Sequence, residues 1–471
     1  MGTLYERLKN YGESDHYGFH MPGHKRQTGI PGMEKLYQID ITEIEGFDDL
    51  HHPRGILKEA QERAARVFQA EETHFLINGS TVGILSALAG VTRRGDTVLV
   101  ARNCHKSVYH AIYMKELKPV YLYPGFDQET GLNTQISPED VRRALEADPA
   151  IRAVVIVSPT YEGIVSDVEK IGEEAHARGI PLIVDEAHGA HFGFHPYFPG
   201  NSNTRGADLV VQSLHKTLPS LTQTALLNMN GSYVDRREVR RYLDMLQTSS
   251  PSYVLMASID DCVCRLEEKG DDLWEPYVER LKWLRGELEK LKALELIRLP
   301  GQEPSKLVIS TRKTSMTGRQ LQELLLERYH LELEMAAGSY ALAMTSPGDT
   351  REGMERLARA LMDVDEMAGL MYNADKSCGE FQYPRLEQVY TSAGMADRRR
   401  DGVRGERVPW EESEGMVSFE YAYLYPPGIP LIVPGERINR EAVEILRRYR
   451  EMGFAIEGLD KEGWIEVWKD G

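Results

Sequence analysis

Short, nearly continuous apolar runs punctuate the first half of the chain, at 73–77, 97–101, 153–157, 181–184 and 208–211. They are rich in Val, Ile and Leu, the pattern of strands buried on both faces. Between them, apolar residues recur at helical spacing, as in Pro138-Glu139-Asp140-Val141-Arg142-Arg143-Ala144-Leu145 and Val168-Glu169-Lys170-Ile171-Gly172-Glu173-Glu174-Ala175. Strands alternating with helices predict an α/β fold whose mostly parallel sheet is covered on both faces. Farther on, Lys306-Leu307-Val308-Ile309-Ser310 and then Leu321-Gln322-Glu323-Leu324-Leu325-Leu326 predict a strand and a helix of a smaller unit.

These patterns divide the chain into three regions. Residues 1–60 form an irregular arm rich in Gly, Pro and His, expected to lie across another surface such as a second subunit. Residues 61–295 form the large domain. Residues 296–471 form a smaller α+β C-terminal part that begins at Leu299-Pro300-Gly301. Within it, 392–415 carries the basic run Arg398-Arg399-Arg400 and is expected to be a mobile, solvated loop.

Composition narrows the function. The 471 residues are 41% hydrophobic and 27% charged, ordinary for a soluble globular protein. A net charge of −17 argues against nonspecific binding to nucleic acid or an anionic membrane, and mildly favours a cationic small molecule. Four cysteines, at 104, 262, 264 and 378, do not suggest a disulfide framework. No apolar run approaches the roughly 20 residues of a membrane-spanning helix. The expectation is a cytoplasmic protein.

The candidate chemistry follows the apolar runs. Lys216, in Ser213-Leu214-His215-Lys216-Thr217-Leu218, is an amine able to form an imine with an aldehyde. Asp185, in Val184-Asp185-Glu186-Ala187-His188, is an acid able to keep a pyridine nitrogen protonated. That pair is what pyridoxal phosphate (PLP) requires of a protein. Gly79-Ser80-Thr81 opens a predicted helix, where backbone N–H groups and hydroxyls suit a phosphate; the plain alternative is a helix cap. His105 follows the 97–101 run, where its imidazole could lie flat on a pyridine ring or be a structural residue. Ser158-Pro159-Thr160-Tyr161-Glu162-Gly163 ends another run in polar residues and a turn. In open α/β sheets ligands bind beyond the carboxyl ends of the strands, so these pieces converge on one pocket.

Two other clusters point elsewhere. Glu186, His188, His191 and His195 lack the His-Glu-x-x-His spacing of a zinc site, and no metal is expected. Cys262-Val263-Cys264 has one intervening residue and reads as buried thiols on a helix.

The chain resembles the basic-amino-acid decarboxylase family, the ornithine/lysine/arginine decarboxylases. The resemblance rests on His20-Met21-Pro22-Gly23-His24-Lys25, Asp185-Glu186-Ala187-His188-Gly189-Ala190-His191, Ser213-Leu214-His215-Lys216-Thr217-Leu218, and Tyr425-Pro426-Pro427-Gly428-Ile429-Pro430-Leu431 with Pro434-Gly435-Glu436. It implies the PLP-dependent transferase fold type I in a short form lacking a receiver-like domain. By the same resemblance Lys216 is the imine lysine and Asp185 the ring-nitrogen acid. His188 lies near the ring hydroxyl and His105 stacks on the ring. Gly79, Ser80, Thr81, Ser213 and His215 contact the phosphate.

The implied reaction is decarboxylation of a basic amino acid, arginine before lysine or ornithine, in a homodimer with interfacial sites. A cationic substrate side chain wants a carboxylate. Glu420 is the first candidate, then Asp48 and Asp49; a capping or solvated carboxylate is the alternative for each. An aminotransferase or carbon–sulfur lyase, or a silent PLP-binding regulator, remains the alternative to a decarboxylase.

Overall fold

The computed structural model describes residues 15, 17–19, 47–369, 382–424, 428–459 and 461–469. The motif at 20–25, most of the arm and Tyr425–Pro427 lie outside them.

Seven strands form the central sheet: β1 (Glu72–Leu76), β2 (Thr97–Ala101), β3 (Lys118–Leu122), β4 (Ile151–Val157), β5 (Leu182–Asp185), β6 (Leu209–Ser213) and β7 (Ala225–Met229). Their spatial order is β1-β7-β6-β5-β4-β2-β3. Neighbours from β6 to β3 pair in parallel, while β7 runs antiparallel to both β6 and β1. The five apolar runs are therefore strands of one mostly parallel sheet. Strand β3, opening Lys118-Pro119, and β7, containing Asn228, were hidden by polar or proline residues.

Both faces of the sheet are buried. One face packs on α2 (Gly79–Val91), α3 (Lys106–Met114), α4 (Pro138–Ala147), α5 (Val168–His176) and α7 (Arg236–Leu246). These carry Val82, Ile84, Val108, Val141, Ile171 and Leu243 into the core. The other face packs on α1 (Ile56–Val67) and the long α8 (Tyr253–Leu288), whose Trp274, Tyr277 and Leu281 are buried. Each fully buried large apolar side chain contributes about 1.5–3 kcal/mol. Residues 56–60, assigned to the arm from sequence, are helical: α1 starts at Ile56, and Leu57 and Ala60 belong to the core.

The same core continues into a four-stranded antiparallel sheet, of which the strands Lys306–Ser310 and Tyr340–Met344 are central. The helix Gly318–Tyr329 packs beside it, opened by a capping box between Thr317 and Gln320. Residues Tyr17–Phe19 pair in parallel with Leu331–Leu333.

The region from 382 onward has its own small sheets and core, around Trp410, Leu431, Ile445 and Leu446. Here the expectation of a loop at 392–415 is corrected. Ser392–Arg400 is a helix capped by Thr391, and Glu406–Pro409 is a strand. The basic run is exposed at Arg399 and Arg400 but engages aromatic faces and acids. Arg398 lies over the rings of Tyr390 (4.0 Å) and Trp468 (5.0 Å), and Arg399 pairs with Glu466 at 2.6 Å. Cys262 is buried on α8 as expected, whereas Cys264 is half-buried and receives Arg63 Nη1 at 2.9 Å. No helix among the described residues is long and apolar enough to cross a membrane.

Candidate active site

Parallel strands β1, β2, β4, β5 and β6 end on one edge of the sheet, and the segments that follow them wall a cavity of about 360 Å³. Strand β6 ends at Ser213 and passes directly into the short helix Leu214–Thr217, which turns Lys216 into the cavity. Strand β5 ends at Asp185, with His188 just beyond. The β2 end supplies Asn103 and His105, and the β4 end supplies Thr160, Tyr161 and Glu162. From the C-terminal regions come Tyr340, Tyr383, Leu424, Ile429 and Tyr449.

All nine residues expected at the cofactor line this cavity: Gly79, Ser80, Thr81, His105, Asp185, His188, Ser213, His215 and Lys216. Gly79 begins α2 at φ +73°, a left-handed conformation that disfavours a side chain. Ser80 Oγ lies 2.5 Å from Ser213 Oγ, so the two strand ends share a hydroxyl pair. His215 Nδ1 donates to the Thr224 carbonyl at 2.9 Å.

Burial sets the charges. The Asp185 carboxyl is pushed above its ordinary pKa by burial, opposed by the nearby Lys216 cation and by the Ala187 N–H at 3.1 Å. Burial likewise lowers Lys216 below an ordinary lysine, with Asp185 and Glu334 opposing. His105 is lowered to about 3, first by burial and then by Lys216, so its ring is neutral. Its Nδ1 accepts from the Ser107 N–H at 3.2 Å, capping α3, which places the ring hydrogen on Nε2.

The acids expected at the substrate are engaged within their own chain. The Glu420 carboxylate is buried away from the cavity wall, where its Oε2 accepts the Glu466 N–H at 2.8 Å. Asp48 accepts the backbone N–H groups of Asp49, Arg54, Gly55 and Leu57, so its carboxylate closes a turn ahead of α1. Asp49 accepts from the His51 N–H and is bonded to His52. Neither aspartate lines the cavity of its own chain.

Glu162 lines it instead. Its Oε1 accepts from Tyr340 Oη at 2.7 Å and its Oε2 from Thr160 Oγ1 at 2.9 Å. The residue stood inside a stretch legible as a strand end, but nothing local distinguished it from a solvated acid. Lys306 was missed as well, since a lysine that opens an apolar strand reads as solvent-facing. It is fully buried, with Nζ 2.8 Å from His188 Nδ1.

These residues fit pyridoxal phosphate. Asp185 is buried and accepts the Ala187 N–H, an environment that wants a cationic partner. Asn103 and Asn133, both in the wall, keep buried side-chain oxygens without a hydrogen-bond partner. The same wall carries hydroxyls, a left-handed glycine, a neutral imidazole and an amine. The acids and histidines of the rejected metal cluster are engaged separately: Glu186 with Ser202 and Gln212, His191 with Glu303, His195 with Glu275.

Residues 2–349 match the Orn/Lys/Arg decarboxylase major domain, and residues 380–462 match the C-terminal domain of the same family. The arginine decarboxylase of Bacillus subtilis (strain 168) is 33% identical, over 97% of this chain and 95% of that protein. An uncharacterized protein of the same organism, YaaO, is 36% identical over 97% and 95%. Among solved structures, the Francisella novicida lysine decarboxylase LdcF superposes with a TM-score of 0.77 at 20% identity, covering 98% of this chain and 80% of that one.

Proposed function

This chain belongs to the Orn/Lys/Arg decarboxylase family, a family of carboxy-lyases acting on basic amino acids, and from that premise we propose that it converts arginine to agmatine and CO2 with pyridoxal phosphate bound at Lys216. The observation that carries the reading is one cavity walled by a buried amine, a buried acid, a glycine flanked by hydroxyls and a second carboxylate. When bound, the cofactor supplies an aldehyde for the amines and a cationic ring that takes up the electrons released as CO2 leaves.

The protein residues divide the remaining work. Gly79, Ser80, Thr81, Ser213 and His215 hold the phosphate. His105 covers one ring face and stays neutral, so it does not compete with the ring for Asp185. Asp185 keeps the ring nitrogen protonated; each pK unit it adds is worth about 1.4 kcal/mol of preference for the cation. Burial excludes water, which strengthens that pairing.

Glu162 receives the substrate's side-chain cation. Tyr340 and Thr160 each donate to one of its oxygens, which fixes the plane of the carboxylate. Each oxygen keeps a further lone pair, so the group can still accept a planar guanidinium in two bonds. Arginine is favoured over lysine by this geometry and by the arginine decarboxylases among the relatives.

We further assign it to the cytoplasm, consistent with the unbridged Cys104, Cys262 and Cys264. A homodimer is the assembly we assign. Phe47, Ile56 and Met245 stand exposed near the 47–56 segment, apolar surface that a second copy would cover.

The test is direct. Purified protein with PLP is given arginine, lysine and ornithine in turn, and CO2 and amines are measured. CO2 with agmatine, faster than with either diamine, is the expected result. Release of a keto acid without CO2 would make the protein an aminotransferase. Sedimentation velocity of the holoenzyme reads the dimer.

A further inference from the structure

The His188 imidazole is met by a lysine at both ring nitrogens. Nε2 lies 3.0 Å from Lys216 Nζ, and Nδ1 lies 2.8 Å from Lys306 Nζ. A neutral imidazole offers one N–H and one lone pair, whereas an ammonium group can only donate. Two ammonium groups therefore cannot both be bonded to one neutral ring. An imidazolium is disfavoured, because burial and the neighbouring cations push His188 well below its ordinary pKa. The arrangement fits a lysine pair that shares one proton, with the ring tautomer recording which lysine holds it.

We propose that Lys306 is a positioning residue that takes the proton of Lys216 through His188, leaving Lys216 a free amine when it must bond to the aldehyde carbon. This inference rests on the reading of Lys216 as the aldehyde-binding amine. The Lys216 ammonium gives a proton to Nε2 while the Nδ1 proton passes to the Lys306 amine. The products are a free Lys216 amine, a Lys306 ammonium and a neutral ring in its other tautomer. One N–H bond breaks and one forms at each end, and the net charge of the three groups is unchanged.

Acids flank both ends of the relay. Lys216 faces Asp185 and Glu334. Lys306 faces Glu303, Glu334 and Glu162, while burial and the Lys216 charge hold it at about 8, where a proton is gained or lost readily. Glu303 is itself kept ionised by His191 and Ser305. His105 and His215 are the other imidazoles whose charge reaches His188, and the Tyr161 ring packs on it at 4.4 Å between centroids. The balance tips when Asp185 turns its attraction from Lys216 to a cationic cofactor ring. Room for the second lysine is made by Gly163, at φ +92°, where an added Cβ would stand 2.8 Å from Lys306 Cγ.

The experiment labels histidine with 15N in the wild-type protein and in Lys306→Arg, with His188 assigned by its loss in His188→Gln. At mildly alkaline pH the cofactor-free wild type is expected to show His188 as Nδ1–H, and the PLP-loaded protein as Nε2–H. Lys306→Arg, which donates to Nδ1 but accepts no proton, is expected to show Nε2–H in both states. Addition of PLP to cofactor-free protein, followed by visible absorbance, should slow by about tenfold or more in Lys306→Met, whereas Lys306→Arg, whose Nε2–H ring leaves Lys216 a free amine from the start, should take up PLP at least as fast as the wild type. A wild-type ring that keeps one tautomer in both states overturns the relay. So does a Lys306→Met protein that takes up PLP at the wild-type rate, since Lys216 would then lose its proton without Lys306. Mapping the borohydride-reduced adduct separates the two failures: an adduct away from Lys216 removes the functional reading itself, whereas one at Lys216 with an unchanging ring removes the relay alone.

Discussion

Arg102 Nη2 lies 3.3 Å from Glu436 Oε2, and both side chains have almost no exposed surface. Arg102 leaves the β2 end, while Glu436 closes the Pro434-Gly435-Glu436 motif. The same guanidinium donates to the carbonyls of Pro430 and Leu431 and to Tyr109 Oη. Glu436 Oε2 also accepts the Val433 N–H at 2.9 Å. Three of these five bonds, from Arg102 to Pro430, Leu431 and Glu436, thus bind the C-terminal motif to the sheet edge that carries the active site.

Removing one member of that pair leaves a buried charge unmatched. Glu436→Gln and Arg102→Met are each expected to cost about 3–5 kcal/mol. Urea denaturation of the cofactor-free protein measures this. A loss below about 1 kcal/mol would show that the pair is as replaceable as a surface contact.

Asp185→Asn keeps the shape of the side chain but not its charge. The variant is expected to bind PLP and to lose turnover on arginine by at least about a hundredfold, since a neutral ring takes up electrons poorly. Absorbance of the loaded protein checks retention, and CO2 release checks the loss. Undiminished turnover would remove Asp185 from the role given to it.

Glu162→Gln should act on selectivity. A charge-assisted bond is worth about 1.5–3 kcal/mol, so the preference for arginine over norleucine should fall by roughly 10- to 150-fold in kcat/KM. Turnover of norleucine should change little. Equal losses on both substrates would place Glu162 in the general architecture of the cavity rather than at the side-chain cation.

Asp48→Ala should act on stability. Four backbone N–H groups lose their acceptor, at about 1–3 kcal/mol for a buried donor left unsatisfied and less where water reaches it. Thermal unfolding of the holoenzyme reads the loss. Arginine selectivity unchanged in the same variant would bear out a purely structural carboxylate.

The pH dependence of stability should carry a mark from His105. Its folded pKa of about 3 lies below the value of 6.5 for an unperturbed histidine. Between these values the unfolded chain binds the extra proton, so stability rises with pH through that window and is fully present above 6.5. His105→Phe removes the group, and the fall in stability from pH 7.5 to 5 should become shallower in cofactor-free protein. An unchanged slope would mean that the ring is charged in the folded state.

The parts of this protein readable from its sequence are those whose signal is local. Continuous Val/Ile/Leu runs announce buried strands because burial on both faces forbids alternation. Strands of a parallel sheet must end on a common edge, so Gly79, His105, Asp185 and Lys216, each just past such a run, could be assigned to one pocket before any coordinate was seen. The charge run Arg398–Arg400 misled for the complementary reason. A basic cluster looks solvated until Tyr390, Trp468 and Glu466, distant in sequence, are folded against it. Glu420 and Glu162 are equivalent as letters, and the choice between them belongs to packing. Strand pairing spends the first on a backbone N–H, while the second turns into the cavity. Lys306 is the sharpest instance, bonded to His188 across 118 residues. Periodicity reports which face of an element is buried, but not which element will lie opposite, and a hydrogen bond between two such faces exists only once the faces have met.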